Sequence, residues 1–304
     1  MTRPTMRIHD DVEAAVEWHD HPAVGRVIVV GGGTMGAGIV HVLLTAGADV
    51  VLVEGDAASA ASALARVLQS LERRPDVDVV PSADLVEHLH VHVGVPSGCG
   101  ADLVIEAVPE QVELKLSVLA AIDAACDGAV VATNTSSLSV DVLAEALRDP
   151  SRLVGMHFFN PVPPSRLIEV VAGVRSSESA IDVVMRWVTL LGKEQIRVKD
   201  SPGLATSRLG VAIALEAMRM VEEGVASAAD IDRGMVLGYR FPVGPLELTD
   251  RVGLDVRLAI AQHLERELGS RFRPPDLLRA MVAEGALGRK AGRGFYSWGP
   301  EGRR

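Results

Sequence analysis

Cysteine is scarce: Cys99 and Cys126 are the two in 304 residues. Two are too few for a disulfide framework, and both are expected to be reduced, non-catalytic thiols of a cytoplasmic protein. Long apolar runs are missing as well. No stretch reaches the roughly 18 residues a membrane span needs, because glycines and Glu54 divide the apolar region around 27–53 into element-sized pieces. Excess positive charge is also absent. Thirty basic against forty acidic side chains give a net charge of -10, so nucleic acid is a poor partner and a polyanionic ligand needs a local basic pocket. Residues 1–25 carry acids throughout and no apolar segment, so neither a signal nor a transit peptide is expected; they read as an extension, either a mobile arm or a short surface helix over 11–18.

What the chain does contain is glycine at a decisive place. Val27 to Val30 reads as a buried strand, Gly31-Gly32-Gly33 as a tight turn, and Thr34 to Thr45 as a helix directing Met35, Ile39, Val42 and Leu43 toward a core. Gly31, Gly33 and Gly36 occupy the three positions of G-x-G-x-x-G, where they permit the turn, backbone approach to a pyrophosphate, and close helix–strand packing. A second strand from Ala48 ends in Glu54, where the ribose hydroxyls of a dinucleotide need an acceptor, about 20 residues after the first glycine.

A helix is expected over 56–74. Segments 77–80 and 89–93 are either short strands or connections. Further strands are expected over 101–108, 129–133, 153–158, 167–171 and 195–198, with helices around 114–122, 140–147 and 178–191 between them. That alternation implies a mostly parallel sheet covered on both faces. After Asp200-Ser201-Pro202-Gly203 the pattern becomes helical, over 204–223, 228–237, 246–268 and 275–284. The fold class is therefore α/β: a Rossmann-type nucleotide-binding domain over 26–199, then a mainly helical domain over 200–304, for which fold analogy alone implies a part in substrate binding or dimerisation.

GGGTMGAGI at 31–39, DLVIEAVPE at 102–110, NTSSLS at 134–139, GMHFFNPVP at 155–163, LIEV at 167–170, KDSPG at 199–203, RFPVGPLELTDRVGLD at 240–255 and GRKAGRGFY at 288–296 together resemble the L-3-hydroxyacyl-CoA dehydrogenase family, including its 3-hydroxybutyryl-CoA members. The resemblance implies reversible oxidation of a (3S)-3-hydroxyacyl-CoA by NAD in fatty acid β-oxidation chemistry, a homodimer, and no metal. It makes His157 the base, Glu169 its orienting carboxylate, and Ser136 the partner of the reacting oxygen. Gly31, Gly33, Thr34, Met35, Gly36, Glu54, Glu110, Lys115, Ser136 and Asn160 are implied cofactor contacts. Read without the family, His157 is a lone histidine, Glu169 half of a surface salt bridge, and Glu110 with Lys115 an i, i+5 surface pair. Ser139 is the better helix cap than Ser136, and Asn160 before Pro161 is a turn residue.

Three departures matter. PGLATSR puts Ser207 where many relatives carry a substrate-binding Asn, so the contact there is shorter. The region 56–93 is short and poor in lysine, leaving Ser70, Arg73 and Arg74 as candidates for the CoA nucleotide. Glu54 replaces the commoner Asp; followed by Gly55 and Asp56 rather than Arg, it favours NAD over NADP. Two alternatives stay open: a dehydrogenase of a non-CoA hydroxy acid such as carnitine or gulonate, or a catalytically weak NAD-binding structural protein.

Overall fold

The computed structural model describes residues 8–9, 24–73 and 82–303. The helix considered over 11–18, the segment 77–80 and Arg74 lie outside them. The chain divides into two compact units, Met1–Asp200 and Ser201–Arg304.

In the first unit, strands β1 (Ile8–His9), β2 (Arg26–Val30), β3 (Asp49–Glu54), β4 (Leu89–Val93), β5 (Leu103–Glu106), β6 (Val130–Thr133), β7 (Leu153–Phe158), β8 (Leu167–Ala172) and β9 (Glu194–Lys199) form one sheet in the order β1-β4-β3-β2-β5-β6-β7-β8-β9. Every neighbouring pair is parallel except β7 and β8. Residues of β2, β3 and β5 are buried in unbroken runs, as strands covered on both faces must be. The strand order reverses between β3 and β5 around β2, and the carboxyl ends of the strands at such a reversal form a crevice suited to ligands.

Helices α1 (Thr34–Thr45) and α2 (Ala57–Glu72) cover one flank of this sheet. Ala60, Ala63, Val67 and Leu71 recur at helical spacing along α2 and are fully buried against the core that includes Ile39 and Leu43 of α1. Asp56 caps α2 by accepting the Ser59 N–H at 2.8 Å. Helices α3 (Ser82–Val86), α4 (Val112–Ala125), α5 (Val140–Leu143) and α6 (Glu178–Leu190) complete the unit. The helix expected over 140–147 is α5 followed by a tighter turn over Ala144–Ala146, and Ser139 is its N-cap.

The expectation of two separate thiols is corrected. Cys99 and Cys126 pair as a disulfide, their Cα atoms 5.3 Å apart, because the loop before β5 folds back on the C-terminal end of α4.

The second unit contains α7 (Thr206–Glu222), α8 (Ala228–Tyr239), α9 (Pro245–Val252), α10 (Leu254–Leu268) and α11 (Asp276–Ala283), with a small antiparallel pair, β10 (Trp298–Gly299) and β11 (Gly302–Arg303). Its core gathers Val211, Leu215 and Met218 of α7 with Leu246, Leu254, Leu264 and Leu278. The single helix expected over 246–268 is two, broken at Gly253, whose φ of 108° lies outside the helical region and suits glycine alone. Asp250 ties the C-terminal turn to α9, accepting the N–H groups of Phe295 and Tyr296 and the Trp298 indole. Among the described residues no helix is long and apolar enough to cross a membrane.

Candidate active site

The glycine turn sits between β2 and α1. Gly31 has φ of 98°, and a Cβ at Gly36 would lie 1.7 Å from the Gly31 carbonyl oxygen, so helix and turn can meet only if residue 36 has no side chain. Gly33 caps α1 with extended backbone, and a Cβ there would meet nothing within 4 Å, so space is open above the turn. The first-turn N–H groups of Thr34, Met35 and Gly36 lack helical acceptors, and no acid lies in that turn to compete for them. The Met35 side chain packs against the core, so its contribution to a ligand would come from its backbone. Glu54 ends β3 and accepts the Gly32 N–H at 2.7 Å, which fixes its carboxylate beside the turn. Open space, free N–H groups and an adjacent carboxylate fit a dinucleotide: pyrophosphate on the helix end, ribose on the acid.

A second cluster forms where β5 and β6 end. Glu106 is fully buried within the apolar strand, and a carboxylate there demands partners. It receives both of the shortest contacts of the Lys115 ammonium, at 2.7 and 3.0 Å, and the Thr133 hydroxyl at 2.6 Å. The surface-pair reading of Glu110 and Lys115 is corrected here. Lys115 is 1 % exposed, and its ammonium stands 3.4 Å from Glu110 as well. One oxygen of Glu110 accepts from the Thr135 hydroxyl at 2.7 Å, the Ser136 N–H at 2.9 Å, the Ser137 N–H at 2.9 Å and the Ser136 hydroxyl at 3.3 Å. Burial opposes ionisation of Glu110, but the Lys115 charge and the hydrogen bonds from Thr135, Ser136 and Ser137 outweigh it and hold the carboxyl below its ordinary value. Glu110 thereby holds Ser136 through both its backbone N–H and its hydroxyl.

The third cluster lies on β7 and β8. Antiparallel register sets His157 directly opposite Glu169, so the two side chains project from the same face. His157 Nδ1 meets Glu169 Oε2 at 2.7 Å, with His157 7 % exposed and Glu169 fully buried, which corrects the surface salt-bridge reading. An ionised Glu169 accepts the proton of Nδ1, leaving Nε2 as the basic nitrogen. Phe159 stacks obliquely on the imidazole with ring centroids 4.8 Å apart. Asn134 Oδ1 accepts the Phe158 N–H at 2.9 Å and so ties the serine turn to the histidine strand.

Asn160 follows β7 on a loop over 160–164 that packs on α1, where a Cβ at Gly38 would strike Val162 at 2.8 Å. Lys193 holds this loop by donating to the carbonyls of Val162, Pro163 and Ser165, and burial lowers its pKa. Between loop, α1 and α2 is a cavity of about 850 Å³ lined by Thr34, His41, Arg66, Gln69, Ser70, Arg73, Asn160 and Lys193, among others. Two sequence candidates for a nucleotide phosphate, Ser70 and Arg73, line it; Ser70 also bonds His41 Nδ1 at 2.7 Å, and Arg66 donates to the Gly32 carbonyl at 2.9 Å.

The glycine turn, Glu54, Glu106, Glu110, Ser136, His157 and Asn160 lie at or just beyond the carboxyl ends of β2, β3, β5, β6 and β7, and Glu169 lies on the strand paired with β7. Ser207 belongs to the second unit, in the first turn of α7, half-buried. Glu106, Thr133, Thr135 and Asn134 were not singled out from sequence. One signal was available: an acid inside DLVIEAV must find a cation once that strand is buried, and Lys115 is the first lysine after it.

Comparison with known proteins agrees across both units. The 3-hydroxyacyl-CoA dehydrogenase NAD binding domain family matches residues 26–201, and the 3-hydroxyacyl-CoA dehydrogenase C-terminal domain family matches residues 203–298. A 3-hydroxybutyryl-CoA dehydrogenase of Mycobacterium tuberculosis is 38 % identical over 283 residues, covering 91 % of this chain and 99 % of that protein. A probable 3-hydroxybutyryl-CoA dehydrogenase of Bacillus subtilis is 36 % identical over 283 residues, covering 90 % and 98 %. The crystal structure of (S)-3-hydroxybutyryl-CoA dehydrogenase from Ralstonia eutropha superposes with a TM-score of 0.85 at 38 % identity, covering 91 % of this chain and 100 % of that one. With its glycine turn, its serine turn and its buried histidine–glutamate pair on matched domains, the chain belongs to the 3-hydroxyacyl-CoA dehydrogenase family.

Proposed function

We propose that the protein catalyses reversible NAD-dependent oxidation of a (3S)-3-hydroxyacyl-CoA to the 3-ketoacyl-CoA, on short acyl chains of the 3-hydroxybutyryl type. The observation that carries this reading is the 2.7 Å bond between His157 Nδ1 and buried Glu169. It makes Nε2 a base that can take a hydroxyl proton, and it places a fixed negative charge behind the imidazolium that results. Ser136, held by Glu110, offers a hydroxyl to the oxygen whose charge changes at C3. Bound NAD supplies the acceptor for the C3 hydride. Thr34, Met35 and Gly36 would hold its pyrophosphate through backbone N–H groups, Glu54 its ribose, and Glu110 and Asn160 its nicotinamide end. In the direction of reduction, His157 returns the proton to the forming alkoxide.

The CoA portion is supported by the 850 Å³ cavity, where Ser70, Arg66 and Arg73 bring hydroxyl and guanidinium donors onto one helix. Exposed apolar side chains of the second unit, Leu209, Leu237 and Tyr239, support a homodimer, which light scattering will test. Turnover of acetoacetyl-CoA followed by NADH absorbance, beside carnitine and sugar acids, tests the substrate class. His157→Ala is expected to abolish turnover with NAD affinity nearly intact. Full activity of that variant, or turnover of the non-CoA acids alone, overturns the reading.

A further inference from the structure

The loop that follows β7 contains Pro161, Pro163 and Pro164, none of which has a backbone N–H. Such a segment carries more carbonyl acceptors than donors, so its carbonyls must be met from elsewhere in the fold. Lys193 meets three of them. Its ammonium donates to the carbonyls of Val162 at 2.9 Å, Pro163 at 3.4 Å and Ser165. A lysine ammonium has three N–H donors and no acceptor, which is the complement of a proline-rich loop.

Lys193 is itself fixed. It is half-buried in the turn between α6 and β9, where Gly192 has φ of 65° and the Lys193 N–H donates to the Val188 carbonyl at 3.2 Å. The next residue, Glu194, opens β9 with its N–H on the Arg166 carbonyl at 2.6 Å. The ammonium therefore rises from backbone anchored to the sheet. At the other end of the loop, the Phe158 N–H donates to Asn134 Oδ1 at 2.9 Å. Asn160 stands between these two fixed points, three residues after His157. Because Asn160 is exposed, the backbone on either side of it sets its place rather than packing of its own side chain.

We propose that Lys193 is a positioning residue for hydride transfer, its ammonium holding the loop so that Asn160 meets the carboxamide of bound nicotinamide. This rests on the dehydrogenase reading above, which gives Asn160 the nicotinamide end of NAD, and it names the group behind that contact. With an apolar side chain at 193 the three carbonyls lose their donors and turn toward water, and the loop shifts with them. A displacement of about 1 Å far from the reacting atoms can cost on the order of 100-fold in rate.

The test measures calorimetric affinity of the full-length protein for NAD and for ADP-ribose, which lacks the nicotinamide ring, beside kcat and KM for acetoacetyl-CoA with NADH. Lys193→Met is expected to weaken NAD about tenfold and to leave ADP-ribose within about twofold. Its kcat is expected to fall about 10- to 100-fold with KM for acetoacetyl-CoA little changed. Lys193→Arg, which keeps charge and donors, is expected to recover most of the NAD affinity. Asn160→Ala is expected to reproduce the loss, and Lys193→Met added to it to cost nothing further, since both act on one contact. Thermal melts establish folding, and Lys193→Gln, with two N–H donors, serves where Lys193→Met does not fold. Unchanged NAD affinity, equal losses for NAD and ADP-ribose, additive losses in the double variant, or an effect confined to KM for acetoacetyl-CoA overturns the positioning role, while NADH-linked turnover by the wild type leaves the dehydrogenase reading standing. A wild type that neither binds NAD nor reduces acetoacetyl-CoA removes both.

Discussion

Replacing Glu169 by glutamine is the sharpest test of how the histidine works. The amide has nearly the volume of the carboxylate, so a fully buried position is not emptied, and the change is confined to charge and hydrogen-bond sense. Opposite charges 2.7 Å apart attract by about 6 kcal/mol at an effective dielectric near 20. That is an upper bound, since imidazolium is only partly formed in the transition state and glutamine keeps a neutral hydrogen bond. Realising half of it, about 3 kcal/mol, corresponds to a fall in kcat of roughly 100-fold. Should the amide present its NH2 to Nδ1, the proton moves to Nε2, the base is lost, and the fall extends toward about 10⁴. The assay is steady-state NADH formation, with NAD affinity by calorimetry and melting temperature measured on the same preparation. Both controls are expected to stay close to wild type. A folded Glu169→Gln enzyme that keeps more than a third of its kcat would refute the assignment of Glu169 as the group that orients and charges His157.

Other consequences concern the clusters around that pair. Lys115→Met leaves Glu106 buried without its cation and is expected to cost about 3–5 kcal/mol of stability, whereas adding Glu106→Gln should recover most of it; thermal melts of the two variants decide. Because the folded-state pKa of Glu110 lies below the ordinary 4.5, its contribution is present above that pH and disappears as pH falls through the folded value. Acid denaturation should accordingly be less steep in Glu110→Gln, and identical acid limbs would contradict the role given to its hydrogen bonds. Gly36→Val, whose Cβ would overlap the Gly31 carbonyl, is expected to weaken NAD binding at least tenfold, read by calorimetry. Turnover with NADP is expected to be far below that with NAD, and equal efficiency would overturn the role of Glu54.

Much of the first unit was legible because its information is local. A buried parallel strand must be a continuous apolar run, a tight turn needs glycine, and a helix shows its face every three or four residues; β2, β3, α1 and α2 each satisfy such a rule within their own residues. The motif resemblance added His157, Glu169 and Ser136, whose chemistry no periodicity reveals. Where local rules ran out, the expectations were coarser. The break at Gly253 is a backbone conformation inside an uninterrupted helical pattern, and the pairing of Cys99 with Cys126 joins residues 27 apart through a fold of the chain.

The sequence by itself determined the strand–turn–helix that can receive a dinucleotide, the alternation of strands and helices that gives the first unit its sheet, the helical character of the second, and the inventory of reactive side chains. Tertiary structure alone decided which of those side chains act together. The antiparallel turn of β8 against β7 converts a separation of 12 residues into a 2.7 Å bond between His157 and Glu169. Burial of β5 forces Lys115 inward onto Glu106, and packing of α10 on α7 brings the Arg257 guanidinium to within 4.0 Å of where a Cβ of Gly210 would stand. Each of these depends on register and burial, which are properties of neighbouring elements and are written in no single one of them.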